Sequence, residues 1–102
     1  MTRLIVLFNL KPGVDASGYE AWAKRVDLPT VKGLKSIQGF ELFKSVALLG
    51  STDAPPYQYV EIIDVRDMDA FGQDIATDTM RRVAAEFGAF ADAAFILTEQ
   101  LG

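Results

Sequence analysis

Tyr57, Tyr59 and Glu61 fall at every second position of Tyr57-Gln58-Tyr59-Val60-Glu61-Ile62-Ile63-Asp64-Val65. A β-strand sends alternate side chains to opposite faces, so these three share a face with Ile63 and Val65, while Val60 and Ile62 occupy the other. A carboxyl among apolar and aromatic neighbours has its charged form disfavoured, which raises its pKa toward neutrality and suits it to moving protons. Glu61 is therefore the candidate catalytic residue. The plainer reading is an ion pair with a basic residue across a subunit seam, because such networks also perturb carboxylates. Asn9, near the end of the first strand, carries an amide that can orient a carbonyl or a ring nitrogen, or can satisfy the backbone of the following turn. Tyr57 and Tyr59 join ring surface to a hydroxyl, which suits a flat aromatic ligand or an interface.

The chain has no histidine and no cysteine. That excludes a Ser-His-Asp triad, an imidazole shuttle, His-ligated haem, thiolate catalysis, disulfides and the ordinary zinc sites. Any protein-borne chemistry must use Asp, Glu, Tyr, Lys, Arg, Asn, Ser or Thr. The glycines form neither a phosphate loop nor a dinucleotide fingerprint, and the carboxylates lack calcium-loop spacing, so no cofactor and no metal are expected. The net charge of -4 gives no basic footprint for nucleic acid or an anionic membrane. The apolar start of the chain is too short to span a bilayer. Cysteine-free composition suits a reducing cytoplasm.

The 102 residues fit one domain. Leu4 to Leu10 reads as a buried strand ended by Lys11-Pro12-Gly13. A helix follows, capped by Asp15 or Ser17, with Ser17 and Glu20 at capping-box spacing and Tyr19, Trp22, Ala23 and Val26 as its apolar stripe. Trp22 can serve as core or as pocket wall. Pro29 ends this helix and starts a short one reaching Lys35. Ile37 to Val46 is a second strand, loosened near its start by Gly39, and Gly50 to Pro56 is a hairpin loop. After the Tyr57 to Val65 strand, Asp67 caps a helix with Met68, Phe71 and Ile75 inward. Thr77 or Asp78 opens another with Met80, Val83, Phe87 and Phe90 inward. Ala93 to Leu101 is the last strand. Lys32, Lys35, Arg81 and Arg82 read as solvated charges.

The order β-α-β-β-α-β is the split plan of α+β ferredoxin-like domains: a four-stranded antiparallel sheet with both crossovers on one face. Both sheet faces are apolar here, and a bare apolar sheet is rare in a monomer. A second copy is the simplest cover, giving a two-fold homodimer whose facing sheets enclose a cavity. If the wholly apolar pair Val60 and Ile62 packs under the helices with Leu4, Val6, Phe8, Phe40, Leu42, Phe95 and Leu97, the opposite set lines that cavity. This set comprises Tyr57, Tyr59, Glu61, Ile5, Leu7, Asn9, Glu41, Phe43, Ser45, Ile96, Thr98 and Gln100. A bulge would invert any of these assignments.

Leu4 to Val14 (Leu-Ile-Val-Leu-Phe-Asn-Leu-Lys-Pro-Gly-Val), Tyr19-Glu20-Ala21-Trp22-Ala23, Asp27-Leu28-Pro29-Thr30-Val31 and Tyr59-Val60-Glu61-Ile62 resemble the dimeric α+β barrel superfamily, and within it the RedY-like (HapK-type) proteins of prodiginine and related pigment pathways. The resemblance implies a small cytoplasmic homodimer that binds or transforms a flat heteroaromatic intermediate, such as a bipyrrole or bisindole. In the leading reading, the chain encloses this molecule and assists a condensation, cyclisation or dehydration. Glu61 would move the proton and Asn9 hold a polar atom. Tyr57 and Tyr59 would sandwich the rings, and Trp22, Phe43 and Thr98 would complete the wall. Two alternatives stand beside it: a carrier of the intermediate without turnover, and a cofactor-independent aromatic monooxygenase.

Overall fold

The computed structural model describes residues 2–102. Strand β1 (Thr2–Leu10) leads through a turn, where Gly13 takes φ 83°, into helix α1 (Ala16–Trp22). A π turn (Ala23–Asp27) and helix α2 (Leu28–Lys32) follow without a break. Strand β2 (Ile37–Lys44), a long loop, strand β3 (Tyr59–Val65), helices α3 (Met68–Asp74) and α4 (Asp78–Phe90), and strand β4 (Ala91–Thr98) complete the chain. The sheet order is β2-β3-β1-β4 with every pair antiparallel, the ferredoxin-like arrangement.

The caps follow side-chain chemistry. Asp15 accepts from the Gly18 amide and from the Ser17 hydroxyl (2.6 Å), so Asp15 is the N-cap of α1 and the expected Ser17–Glu20 capping box does not form; Glu20 is engaged elsewhere. Asp67 caps α3, accepting from the amides of Asp69 and Ala70, and Thr77 caps α4 through the Met80 amide.

Pro29 does not end the first helical segment as expected. It has no N–H for the Arg25 carbonyl four residues back, and its ring crowds that carbonyl. The chain widens one turn instead: the Leu28 amide donates to the Ala23 carbonyl, five residues back. Such a π turn is a known way to absorb a disrupted helical bond. The adjustment aligns Tyr19, Ala23, Asp27 and Val31, all buried. In a uniform α-helix each four-residue step over-rotates by about 40°, and the wider turn takes part of that drift back.

The strand faces correct one expectation. β1 pairs Leu4 with Ile63, Val6 with Glu61 and Phe8 with Tyr59, and directly opposed residues share a sheet face. Leu4, Val6 and Phe8 lie under the helices and are buried, so Tyr59, Glu61, Ile63 and Val65 lie there too. Val60 and Ile62 instead occupy the outer face, with Ile5, Leu7, Phe43 and Ile96. The assignments for β1, β2 and β4 match expectation; that for β3 is inverted. The reason is register: β3 pairs with β1 so that its odd-numbered residues oppose Leu4, Val6 and Phe8, and directly opposed residues share a face. With Glu61 turned under the helices, it faces a cavity inside the single chain.

The core centres on Phe8. It stacks on Tyr59 (5.3 Å between centroids, 18°) and meets Tyr19 and Phe87 edge-on at 5.6 and 5.1 Å. Aromatic pairs of this kind add about 0.5–1.5 kcal/mol each beyond the area they bury. Beyond this cluster the helix layer thins over β4, whose helix-side Phe95 and Leu97 remain 60% and 61% exposed.

Candidate functional site

Between sheet and helices lies a cavity of about 770 Å³. Leu4, Phe40 and Ile63 form its floor, Phe71 of α3, Ile75 just after it, and Met80, Val83 and Phe87 of α4 its roof, and Phe95 and Leu97 its exposed rim. Two carboxyls enter this apolar space: Glu61 from β3 and Asp27 from the π turn. Both are buried, at 4% and 6% exposure. Among the described residues nothing hydrogen-bonds Glu61 Oε1, nor the hydroxyl of Tyr19, a buried phenol two helical turns before Asp27.

The electrostatics follow from this placement. Burial pushes Glu61 up to about 8, and the like charge of Asp27 adds to the effect. Burial alone raises Asp27 to about 6. Burial, followed by the charge of Glu61, raises the Tyr19 phenol well beyond its ordinary range. Near neutral pH the pair therefore holds one proton, chiefly on Glu61, beside an Asp27 that is mainly ionised. Two titratable groups driven apart by their surroundings supply an acid and a base in one site.

The remaining residues singled out from the sequence are placed elsewhere. Tyr59 is buried on the helix side; its hydroxyl donates to Glu20 Oε2 (2.7 Å), which also pairs with Lys44 Nζ (2.9 Å), and it does not line the large cavity. Trp22 packs against Phe90 (5.2 Å between centroids), and its indole N–H donates to Glu86 Oε1 (2.8 Å). Asn9 spends both ends of its amide on the β2–β3 loop, donating to the Pro56 carbonyl and accepting from the Gln58 amide, both at 2.9 Å. Tyr57 lies exposed in that loop, ahead of β3 rather than within it. Phe43 faces outward beside Val60, and the Thr98 hydroxyl donates to the Arg3 carbonyl (2.6 Å).

Of the expected set, only Glu61 lines the cavity. Asp27 is the residue that sequence reasoning passed over. Its signal was present: it sits eight residues after Tyr19 and four after Ala23 on the inward stripe, a charged residue where the pattern calls for an apolar one.

The chain matches the family model described as REDY-like protein HapK over residues 2–101. It is similar to the crystal structure of HapK from Hahella chejuensis, with 29% identity and a TM-score of 0.81, covering 100% of this chain and 94% of that one. SnoaB, a cofactor-independent oxygenase from Streptomyces nogalater, has the same fold at 16% identity and a TM-score of 0.76, covering 99% and 93% of the two chains. So does a dimeric ferredoxin-like protein of unknown function from Thermobifida fusca, at 18% identity and a TM-score of 0.73, covering 97% and 90%. No curated protein matches the chain significantly.

Proposed function

This chain belongs to the REDY-like HapK family, and from that premise we propose that it acts in secondary metabolism of the prodiginine type. It encloses a flat heteroaromatic intermediate such as a bipyrrole and assists a dehydrative condensation by acid–base chemistry. The observation that carries this reading is the Glu61–Asp27 pair inside an otherwise apolar cavity. Protonated Glu61 is the acid and Asp27 the base. An aldehyde carbon on one ring system bonds to an electron-rich carbon of a second; Glu61 protonates the carbonyl oxygen, which departs as water after a second protonation. The attacked ring carbon gives up its hydrogen to Asp27 as a proton, which Asp27 passes on as the second proton of the departing water, and the N–H proton of that ring returns to Glu61. One C=C bond and one water result, and no oxidant is consumed. Holding the two rings in register can contribute several kcal/mol of the rate enhancement, since effective molarities of positioned reactants are worth about 7–11 kcal/mol at their best.

The outer sheet face, with Leu7, Phe43, Ile62 and Ile96, is the surface on which a second copy would sit to form a homodimer. A dimeric ferredoxin-like protein with the same fold supports self-association. In such a homodimer the chamber belongs to each protomer rather than to the seam.

Coupling of a bipyrrole carbaldehyde to an alkylpyrrole, followed by the visible absorbance of the conjugated product, tests the catalytic proposal. Glu61→Gln is expected to lower the rate at least a hundredfold, the lower end of what a positioned acid contributes, while retaining aldehyde binding. Unchanged turnover in that variant refutes the acid role. Tight binding by the wild type without any product identifies a carrier, and oxygen uptake with the bipyrrole identifies an oxygenase.

A further inference from the structure

The polar inventory of the cavity is one-sided. Among the described residues lining it, the only side chains with polar atoms are Asp27, Glu61 and Asp92. No lysine, arginine, amide or hydroxyl side chain joins them. Asp92 belongs to the rim: its side chain is 91% exposed and lies 3.8 Å from Lys11 Nζ. Inside, the wall offers no cation: its polar groups are two carboxyls, Asp27 as an acceptor and Glu61 as an acceptor that donates only when it holds the proton. Glu61 Oε1 is a carboxyl oxygen with no hydrogen-bond partner among the described residues, on a side chain more than nine-tenths buried. A buried polar atom without a partner is costly, and a ligand that supplies one recovers that cost. Four phenyl rings, Phe40, Phe71, Phe87 and Phe95, complete the wall. Aromatic faces and carboxylates together are the chemistry that holds nitrogen cations.

We propose that this cavity selects its ligand by a nitrogen donor: the buried end of the molecule carries an N–H or a protonated nitrogen seated against Asp27 and Glu61, and an acid at that position is rejected. The inference rests on the reading that a flat ring system occupies the cavity, and it deepens that reading by fixing the charge class. A carboxylate or phosphate entering the same space would meet two acids and no cation. A neutral carbonyl would find no donor except a protonated carboxyl. An electron-rich ring N–H satisfies the free acceptor directly. When such a ring becomes cationic during a condensation, the carboxylate left by the proton donor stands ready to pair with it.

Four tricyclic probes separate these possibilities by fluorescence titration of the intact protein: carbazole with a ring N–H, fluorene with CH₂ at the same place, 9-aminoacridine as the cation, and fluorene-9-carboxylate as the anion. Carbazole is expected to bind about tenfold more tightly than fluorene, the scale of one hydrogen bond made to a charged or otherwise unpartnered group. 9-Aminoacridine should bind tightest and the carboxylate weakest. In the Asp27→Asn/Glu61→Gln double variant, the advantage of 9-aminoacridine over fluorene should fall about tenfold or more, with fluorene affinity unchanged. Equal affinity for all four probes overturns the donor rule while leaving the flat-ligand reading in place, as does a preference that survives in the double variant. Failure of every probe, fluorene included, to bind removes both.

Discussion

Replacing Glu61 with glutamine removes an ionisation that the fold opposes, and the consequence is readable as stability without any ligand. Burial, helped by Asp27, raises this carboxyl from its ordinary 4.5 to about 8. Between those values the folded protein holds a proton that the unfolded chain has released. Stability falls with rising pH wherever the native state binds more protons, so the Glu61 contribution declines from about pH 4.5 until it levels off near pH 8. At about 1.4 kcal/mol per pH unit, the full span corresponds to roughly 5 kcal/mol, of which roughly 3 kcal/mol is expressed by pH 7. Asp27 adds a decline of the same sign between its ordinary 3.8 and about 6. Exposed Asp15 and partly buried Glu20, whose hydrogen bonds hold them below the usual carboxylate range, act in the opposite sense, but only at lower pH. Urea unfolding of wild type and Glu61→Gln at half-unit steps from pH 5 to 9 isolates the effect: the difference between the two curves should shift in favour of the variant by several kcal/mol as pH rises, and be flat above about 8.5. In Asp27→Asn the like charge is gone, so the decline due to Glu61 should end at lower pH. Parallel curves for wild type and Glu61→Gln across this range would refute the claim that Glu61 is a buried, proton-holding acid.

Three further outcomes follow from the placements above. Tyr59→Phe deletes the bond to Glu20 and is expected to cost about 1 kcal/mol in chemical denaturation, a charged bond discounted for the partial exposure of Glu20, with ligand affinity unchanged. Asn9→Ala releases both tethers of the β2–β3 loop; it should cost about 1–2 kcal/mol and speed proteolysis between residues 45 and 58, while a loss of ligand binding with the loop still protected would assign Asn9 to the site. Ile62→Lys places a charge on the outer sheet face and should convert a dimer into a monomer in sedimentation velocity; an unchanged sedimentation coefficient would remove that face from any interface.

Much of the architecture is legible in the residues. Turn and cap chemistry at Lys11-Pro12-Gly13, Asp67 and Thr77, together with β-former runs, place the four strands and the helices in the order the structure adopts. Those signals are local, and local chemistry is what a linear reading resolves. Less legible were details that depend on partners distant in the chain. Glu20 looked like half of a capping box and is instead the acceptor for Tyr59 and Lys44. Asn9 looked free to hold a ligand and is committed to the Pro56 and Gln58 backbone.

The sequence alone determined the split α+β plan, the absence of imidazole and thiol chemistry, and the oddity of a carboxyl at position 61 among large apolar neighbours. Alternation along β3 could divide its residues into two faces but could not say which face meets the helices, because period-two patterning is symmetric until a neighbouring strand breaks the symmetry. The register of β3 against β1 decided it. That pairing turned Glu61 inward, and the π turn ahead of Pro29 carried Asp27 into the same cavity from 34 positions earlier in the chain. A two-carboxyl site is a meeting between a strand and a helical turn, and only packing brings such elements together.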